Sequence, residues 1–211
     1  KVAKGNEPKW EQYKELMKEH DVPDWYIKSC EKIKYMFPKA HAAAYVTNAF
    51  RIAWFKVHEP KAYYAAYFTI RADEFDSDIM CYGKEKVKNK MKEIDLAGNS
   101  ATTKDKNMYA ILELVLEMYE RGINFLPIDL YKSHATKFIV EENGIRPPLN
   151  SIPGLGTVAA EGIDTAKQDG KFMSIDDMKI RSKIGKSVIE LLEKVGCLKG
   201  MSQSNQMSLF G

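Results

Sequence analysis

The chain has 211 residues, 45% of them hydrophobic and 29% charged, with a formal net charge of +3 and three cysteines. That length suffices for one large or two small domains with a buried core. The near balance of charge excludes a polybasic arm, so any grip on a polyanion must come from placed residues and backbone dipoles.

Cys30, Cys81 and Cys197 are far apart and odd in number, the pattern of reduced thiols in a cytoplasmic protein. No Cys/His pair has metal-ligand spacing, no apolar run is long enough for a membrane span, and there is no signal peptide. The first residue is Lys, as expected of a piece cut from a longer chain.

Residues 9–20 and 23–36 read as two short helices, with Pro23 suited to the first turn of the second. Residues 38–58 read as a long alanine-rich helix carrying Tyr45, Phe50, Trp54 and Phe55, and Pro60 opens another that runs to Ile70. Lys84–Glu93 alternates lysine with other residues, the pattern of a solvated helix. Ala97–Lys106 is polar and contains glycine, hence a loop. Lys106–Arg121 has apolar residues at helical spacing and stops at Gly122. Residues 123–126, 128–130 and 138–140 are short β-type runs, broken by Pro127 and Asn143-Gly144. Arg146-Pro147-Pro148 reads as a linker, and residues 200–211 as a flexible polar tail.

The strongest pattern is Ser151-Ile152-Pro153-Gly154-Leu155-Gly156, which leads straight into a helix from Thr157. At a helix start the backbone amides point outward without partners, and the helix dipole favours an anion. Glycine at both positions allows positive φ and close approach of a phosphate. Ser182-Lys183-Ile184-Gly185-Lys186 repeats the pattern before a second helix, which Gly196 closes. Between them Ser174-Ile175-Asp176-Asp177 opens a short helix. Residues 151–198 therefore read as two copies of a helix-hairpin-helix, able to hold nucleic-acid phosphates without reading sequence. The candidate phosphate-binding set is Ile152, Gly154, Leu155, Gly156 and Thr157, with Lys183, Gly185 and Lys186 in the second copy. The competing reading is a small helical bundle with basic turns.

Three other stretches are candidates. Pro38 can start a helix whose first turn carries Lys39 and His41, an anion site suited to a triphosphate, with Tyr35 before the turn and Tyr45 one turn beyond His41 to stack on a sugar or base. A packed helix with a satisfied histidine is the alternative. Gln206-Met207-Ser208-Leu209-Phe210 places two large apolar residues at the end of a polar tail, where they suit a partner's pocket or dock on their own domain. Asp73-Glu74-Phe75-Asp76-Ser77-Asp78 concentrates carboxylates, but Asp76 or Asp78 as a helix N-cap is the plainer reading than a metal site.

Together these segments resemble one family. Tyr35–Tyr45 (YMFPKAHAAAY) with Arg51–His58 is similar to the fingers segment of the PolC-type alpha subunit of bacterial DNA polymerase III. Lys61–Phe75, Phe125–Lys132 and Asn150–Gly156 resemble the same family in the same order, and the final QMSLF resembles its sliding-clamp-binding motif, with Met207 where leucine is usual. The resemblance implies a mainly α fold: a helical polymerase-fingers region (residues 1–122), a small β-containing insert and linker (123–149), a tandem helix-hairpin-helix domain (150–199) and a clamp-binding tail (200–211). It implies that Tyr35, Lys39 and His41 line the incoming dNTP site, to which the residue reading adds Tyr45, and that Gly154 and Gly156 hold primer–template duplex DNA. Gln206, Met207, Ser208, Leu209 and Phe210 would engage the sliding clamp. The palm carboxylates that hold two Mg2+ ions lie upstream of the fingers, so no catalytic or metal-binding residue and no cofactor is expected in this chain.

Two rivals remain at this level. A helix-hairpin-helix repair enzyme would place a lysine or aspartate near the turn, whereas Thr157-Val158-Ala159-Ala160 follows here. A non-enzymatic tether would bind duplex at one end and the clamp at the other, and would not depend on Lys39 or His41.

Overall fold

The computed structural model describes residues 9–32 and 39–204, and the chain divides into two compact units, Lys1–Ala53 and Trp54–Gly211. In the first unit α1 (Trp10–Glu19) and α2 (Asp24–Lys32) form a helical hairpin closed by buried Trp10, Ile27 and Cys30. Asp21, at φ 54, ends α1 in a tight cap: its amide reaches the Lys18 carbonyl and the Val22 amide that of Met17. Lys14 and Glu31 pair across the two helices at 2.7 Å. The expected extension of the second helix to residue 36 lies outside the described residues. α3 (Lys39–His58) buries no residue along its 20-residue length.

The second unit holds two apolar cores. The first is built by α4 (Pro60–Arg71), the short α5 (Ser77–Met80), α6 (Lys84–Ala97) and α7 (Thr103–Glu120). Met108, Ile111, Leu112, Val115 and Met118 recur at helical spacing along α7 and are all buried. Val87 and Ile94 give the lysine-rich α6 a buried stripe, so that helix is solvated on one side only. Phe68, Phe75, Phe125 and Phe138 pack together, each pair of rings 4.9–6.1 Å apart.

The region expected as a loop over 97–106 is mostly helical. α6 continues to Ala97, Gly98–Ser100 is a 3-10 turn, and α7 starts at Thr103. Thr102 and Asp105 close a capping box that fixes that start. The β content is also smaller than expected. β1 (Ile139–Glu141) and β2 (Gly144–Arg146) pair antiparallel, with Val140 opposite Ile145, and Phe125 adds a single parallel bridge to Ile145. Ile128–Leu130 forms no strand, because the Asp129 carboxylate accepts the amides of Tyr131 and Lys132 and turns the chain. Arg146-Pro147-Pro148 is buried rather than an exposed linker. The Arg146 guanidinium binds the Glu141 carboxylate and the Pro127 carbonyl, and holds the Glu141 carboxyl below the usual carboxylate range.

The second core joins α8 (Thr157–Ala166), α9 (Ile175–Ser182) and α10 (Lys186–Lys194) around Leu149, Ile163, Met178 and Leu192. Ser174 caps α9 by accepting the Asp177 amide at 3.1 Å. Gly196 closes α10: its amide reaches Glu193 and that of Cys197 reaches Leu192. Among the described residues no helix is long and apolar enough to cross a membrane.

Candidate nucleic-acid interface

The first hairpin is a type II turn. The Ile152 carbonyl accepts the Leu155 amide at 3.0 Å, Pro153 takes the second position, and Gly154 the third at φ 86. Ile152 and Leu155 are buried in the second core, so any contact they make with a ligand comes from their backbone. Gly156 is the N-cap residue of α8, with φ −70 and ψ 156. Only Gly154 therefore occupies the left-handed region. Gly156 has ordinary backbone, and open space lies where its Cβ would stand.

The second hairpin repeats the last three positions of this geometry, entered here from the end of α9. Lys183 takes the place of Gly154 at φ 55, buried Ile184 the place of Leu155, and Gly185 is the N-cap of α10. A lysine in the left-handed region carries a conformational cost that glycine would avoid. The packing is reciprocal. A Cβ on Gly154 would stand 3.3 Å from Leu191 of α10, and one on Gly162 of α8 would stand 2.7 Å from the carbonyl oxygen of Ser182, which ends α9. Each hairpin thus leans on a helix of the other copy.

Among the described residues, neither helix start finds a partner for its first amides. Neither α8 nor α10 has a side-chain cap or an acidic residue in its first turn, unlike α7 and α9. The first helical bonds run from Ala160 to Gly156 and from Ile189 to Gly185. The amides of Thr157, Val158 and Ala159, and of Lys186, Ser187 and Val188, thus precede the helical ladder. Lys186 puts a cation at the positive end of the α10 dipole, which is unfavourable unless an anion sits between them. Its pairing with Glu190 at 3.7 Å, with 86% of the lysine side chain exposed, is weak compensation.

The first hairpin also lines a cavity of about 370 Å³ with Asp73, Glu74, Asp76, Lys104 and Met108. Glu74 pairs with Lys104 at 3.5 Å, and Asp76 caps α5 by accepting the Ile79 amide, the plainer of the two sequence readings. Among the described residues no group of three or more His, Cys, Asp or Glu side chains gathers as a metal ion requires. The carboxylates repel phosphate from this cavity, which leaves the exposed Gly156–Val158 end of α8 as the approach to the amides.

Lys39, His41 and Tyr45 are exposed on the first two turns of α3, with the His41 and Tyr45 rings 4.5 Å apart. Tyr35 lies outside the described residues, as do Gln206, Met207, Ser208, Leu209 and Phe210. The segment read as a flexible tail from residue 200 is docked at its start. The Ser202 and Gln203 carbonyls accept the Ile175 and Asp176 amides at 2.9 and 3.1 Å, so the chain stays docked on the start of α9 through residue 203. The role of Gly162 was also missed. Its one sequence signal was a glycine inside an otherwise good helix, which marks close approach.

Residues 122–208 match a helix-hairpin-helix motif family. Over 196 residues the chain is 57% identical to a DNA polymerase III PolC-type of Clostridium perfringens, covering 93% of this chain and 14% of that protein. A protein of the same name from Caldanaerobacter subterraneus is 54% identical over 99% of this chain and 15% of its own length. The one from Bacillus subtilis is 54% identical over 99% of this chain and 14% of its own length. The chain thus spans about one-seventh of the length of these relatives.

Proposed function

We infer that this chain, which belongs to the PolC-type DNA polymerase III family, is the C-terminal part of a replicative DNA-directed DNA polymerase and holds primer–template duplex through its two hairpins. The observation that carries this reading is the repetition of one geometry at α8 and α10: a left-handed residue, a buried apolar residue, an extended glycine and an uncapped helix start. Six amides and two lysines then meet phosphates on the two strands. None of these groups reads a base, as a polymerase that must copy any sequence requires.

In this proposal residues 1–122 end the fingers, 123–149 form the insert, 150–199 the duplex-binding domain and 200–211 a segment that starts docked on that domain and carries the clamp motif. Lys39, His41 and Tyr45, with Tyr35, face the dNTP, where a lysine at a helix start suits the triphosphate. The rest of the polymerase chain supplies the palm carboxylates with their two Mg2+ ions. It also covers the exposed Tyr45, Phe50, Trp54 and Phe55 of α3. Gln206–Phe210 engage the sliding clamp at the replisome in the cytoplasm.

The test is a titration of this chain into a labelled duplex of arbitrary sequence at several salt concentrations. Affinity that falls steeply with salt, and equally for unrelated sequences, supports the reading. Absence of duplex binding at low salt contradicts it. A tether that only joins duplex to clamp fits the fragment alone; it is distinguished by intact polymerase variants at Lys39 and His41 whose KM for dNTP does not change.

A further inference from the structure

Residues 202 and 203 are held at a fixed point on the hairpin domain. Ser202 and Gln203 supply their carbonyls to the first two amides of α9, while Ser174 takes the third. The Ser202 hydroxyl also donates to the Met173 carbonyl at 3.3 Å, and Met201 packs on the second core. These residues border a groove of about 350 Å³ lined by Tyr131, Phe172, Met173, Lys199 and Met201 among others. Met173 is 71% exposed at its rim.

Only Ser204 and Asn205 separate the docked Gln203 from Gln206. Three residue steps span at most about 10 Å when fully extended. A protein that receives Gln206 on its surface, and Leu209 and Phe210 in a pocket, therefore cannot stand clear of the hairpin domain. Side chains from both proteins fill a gap of that width.

We propose that the groove between Tyr131, Met173 and Met201 is a second contact surface for the sliding clamp that takes the Gln206–Phe210 tail. This rests on the clamp reading given above. Met173, an unbranched apolar side chain exposed beside the docked Ser202, is the anchor of this contact. The surface also fixes the clamp relative to α9, the helix that presents Lys183, so clamp and duplex are held in one register.

The experiment is calorimetric titration of a sliding clamp with this chain and three variants: Met173→Asp, an eight-residue Gly/Ser insertion after Gln203, and truncation after Asn205. The expected result is loss of binding on truncation and weakening of about tenfold or more in each of the other two. The insertion keeps both surfaces intact and only loosens their coupling, so a folding defect cannot account for its effect. Full affinity in Met173→Asp and in the insertion variant, with truncation still abolishing binding, overturns the second surface and leaves the clamp reading intact. Full affinity after truncation overturns both.

Discussion

Gly162 lies so close to Ser182 that a Cβ placed on the glycine would stand 2.7 Å from the serine's backbone oxygen. This contact joins the second helix of one hairpin to the helix that leads into the other. Alanine in a helix interior normally gains about 0.5–1 kcal/mol over glycine. Here the clash is with backbone, which cannot swing away, so Gly162→Ala is expected to destabilise by about 1–3 kcal/mol. Urea denaturation measures this, and a gain in stability would show that α8 and α9 sit further apart.

Lys183 and Lys186 differ in their backbone roles and agree in their expected effect. Each, replaced by Gln, should weaken duplex binding for all sequences alike and lower the salt slope by about one. A change confined to certain base sequences would mean that the lysines reach base edges.

The Glu141–Arg146 pair sets an acid limit on stability. Arg146 holds the Glu141 carboxyl below its ordinary value near 4.5 in the folded chain. A depressed folded pKa contributes stability above the unfolded value, and that stability is lost as pH falls through the folded one. Thermal melting should therefore weaken below about pH 4.5, and Arg146→Met should remove this part of the acid dependence while lowering stability at neutral pH. Identical pH profiles for the two proteins would exclude the pair as a cause.

The three thiols should resist modification in the native state. Cys30 is buried, burial pushes the Cys81 thiol up, and the Cys197 thiol is pushed up to about 12. Slow reaction with a thiol reagent near pH 8, becoming rapid for all three in denaturant, is the expected result. Fast native labelling of Cys81 or Cys197 would show that the second unit opens locally.

The fold was legible where one local rule decided the outcome. Helical spacing marked α7, Ser174 marked the start of α9, and glycine-led turns marked both hairpins. It was not legible where tertiary contacts decide. Asp129 turns a β-type run by taking two amides, and Pro147 and Pro148 are buried by packing that composition does not reveal. The Ser202 and Gln203 carbonyls cap α9 through backbone groups that every residue possesses. At the candidate site the turns were readable, but the different tasks of the two glycines were not: Gly154 is needed for its φ, and Gly156 for the space beside it.

That difference yields the most direct test of the central claim, that the amide ends of α8 and α10 hold the duplex. The measurement is fluorescence anisotropy of two unrelated labelled duplexes with this chain and with the double variant Gly156→Val, Gly185→Val, alongside thermal melting. A Cβ at Gly156 meets open space, and at Gly185 only the Ser187 hydroxyl oxygen at 4.0 Å, so folding should be nearly preserved. The account predicts at least tenfold weaker binding to both duplexes with little change in Tm. Unchanged affinity in a folded double variant would contradict it.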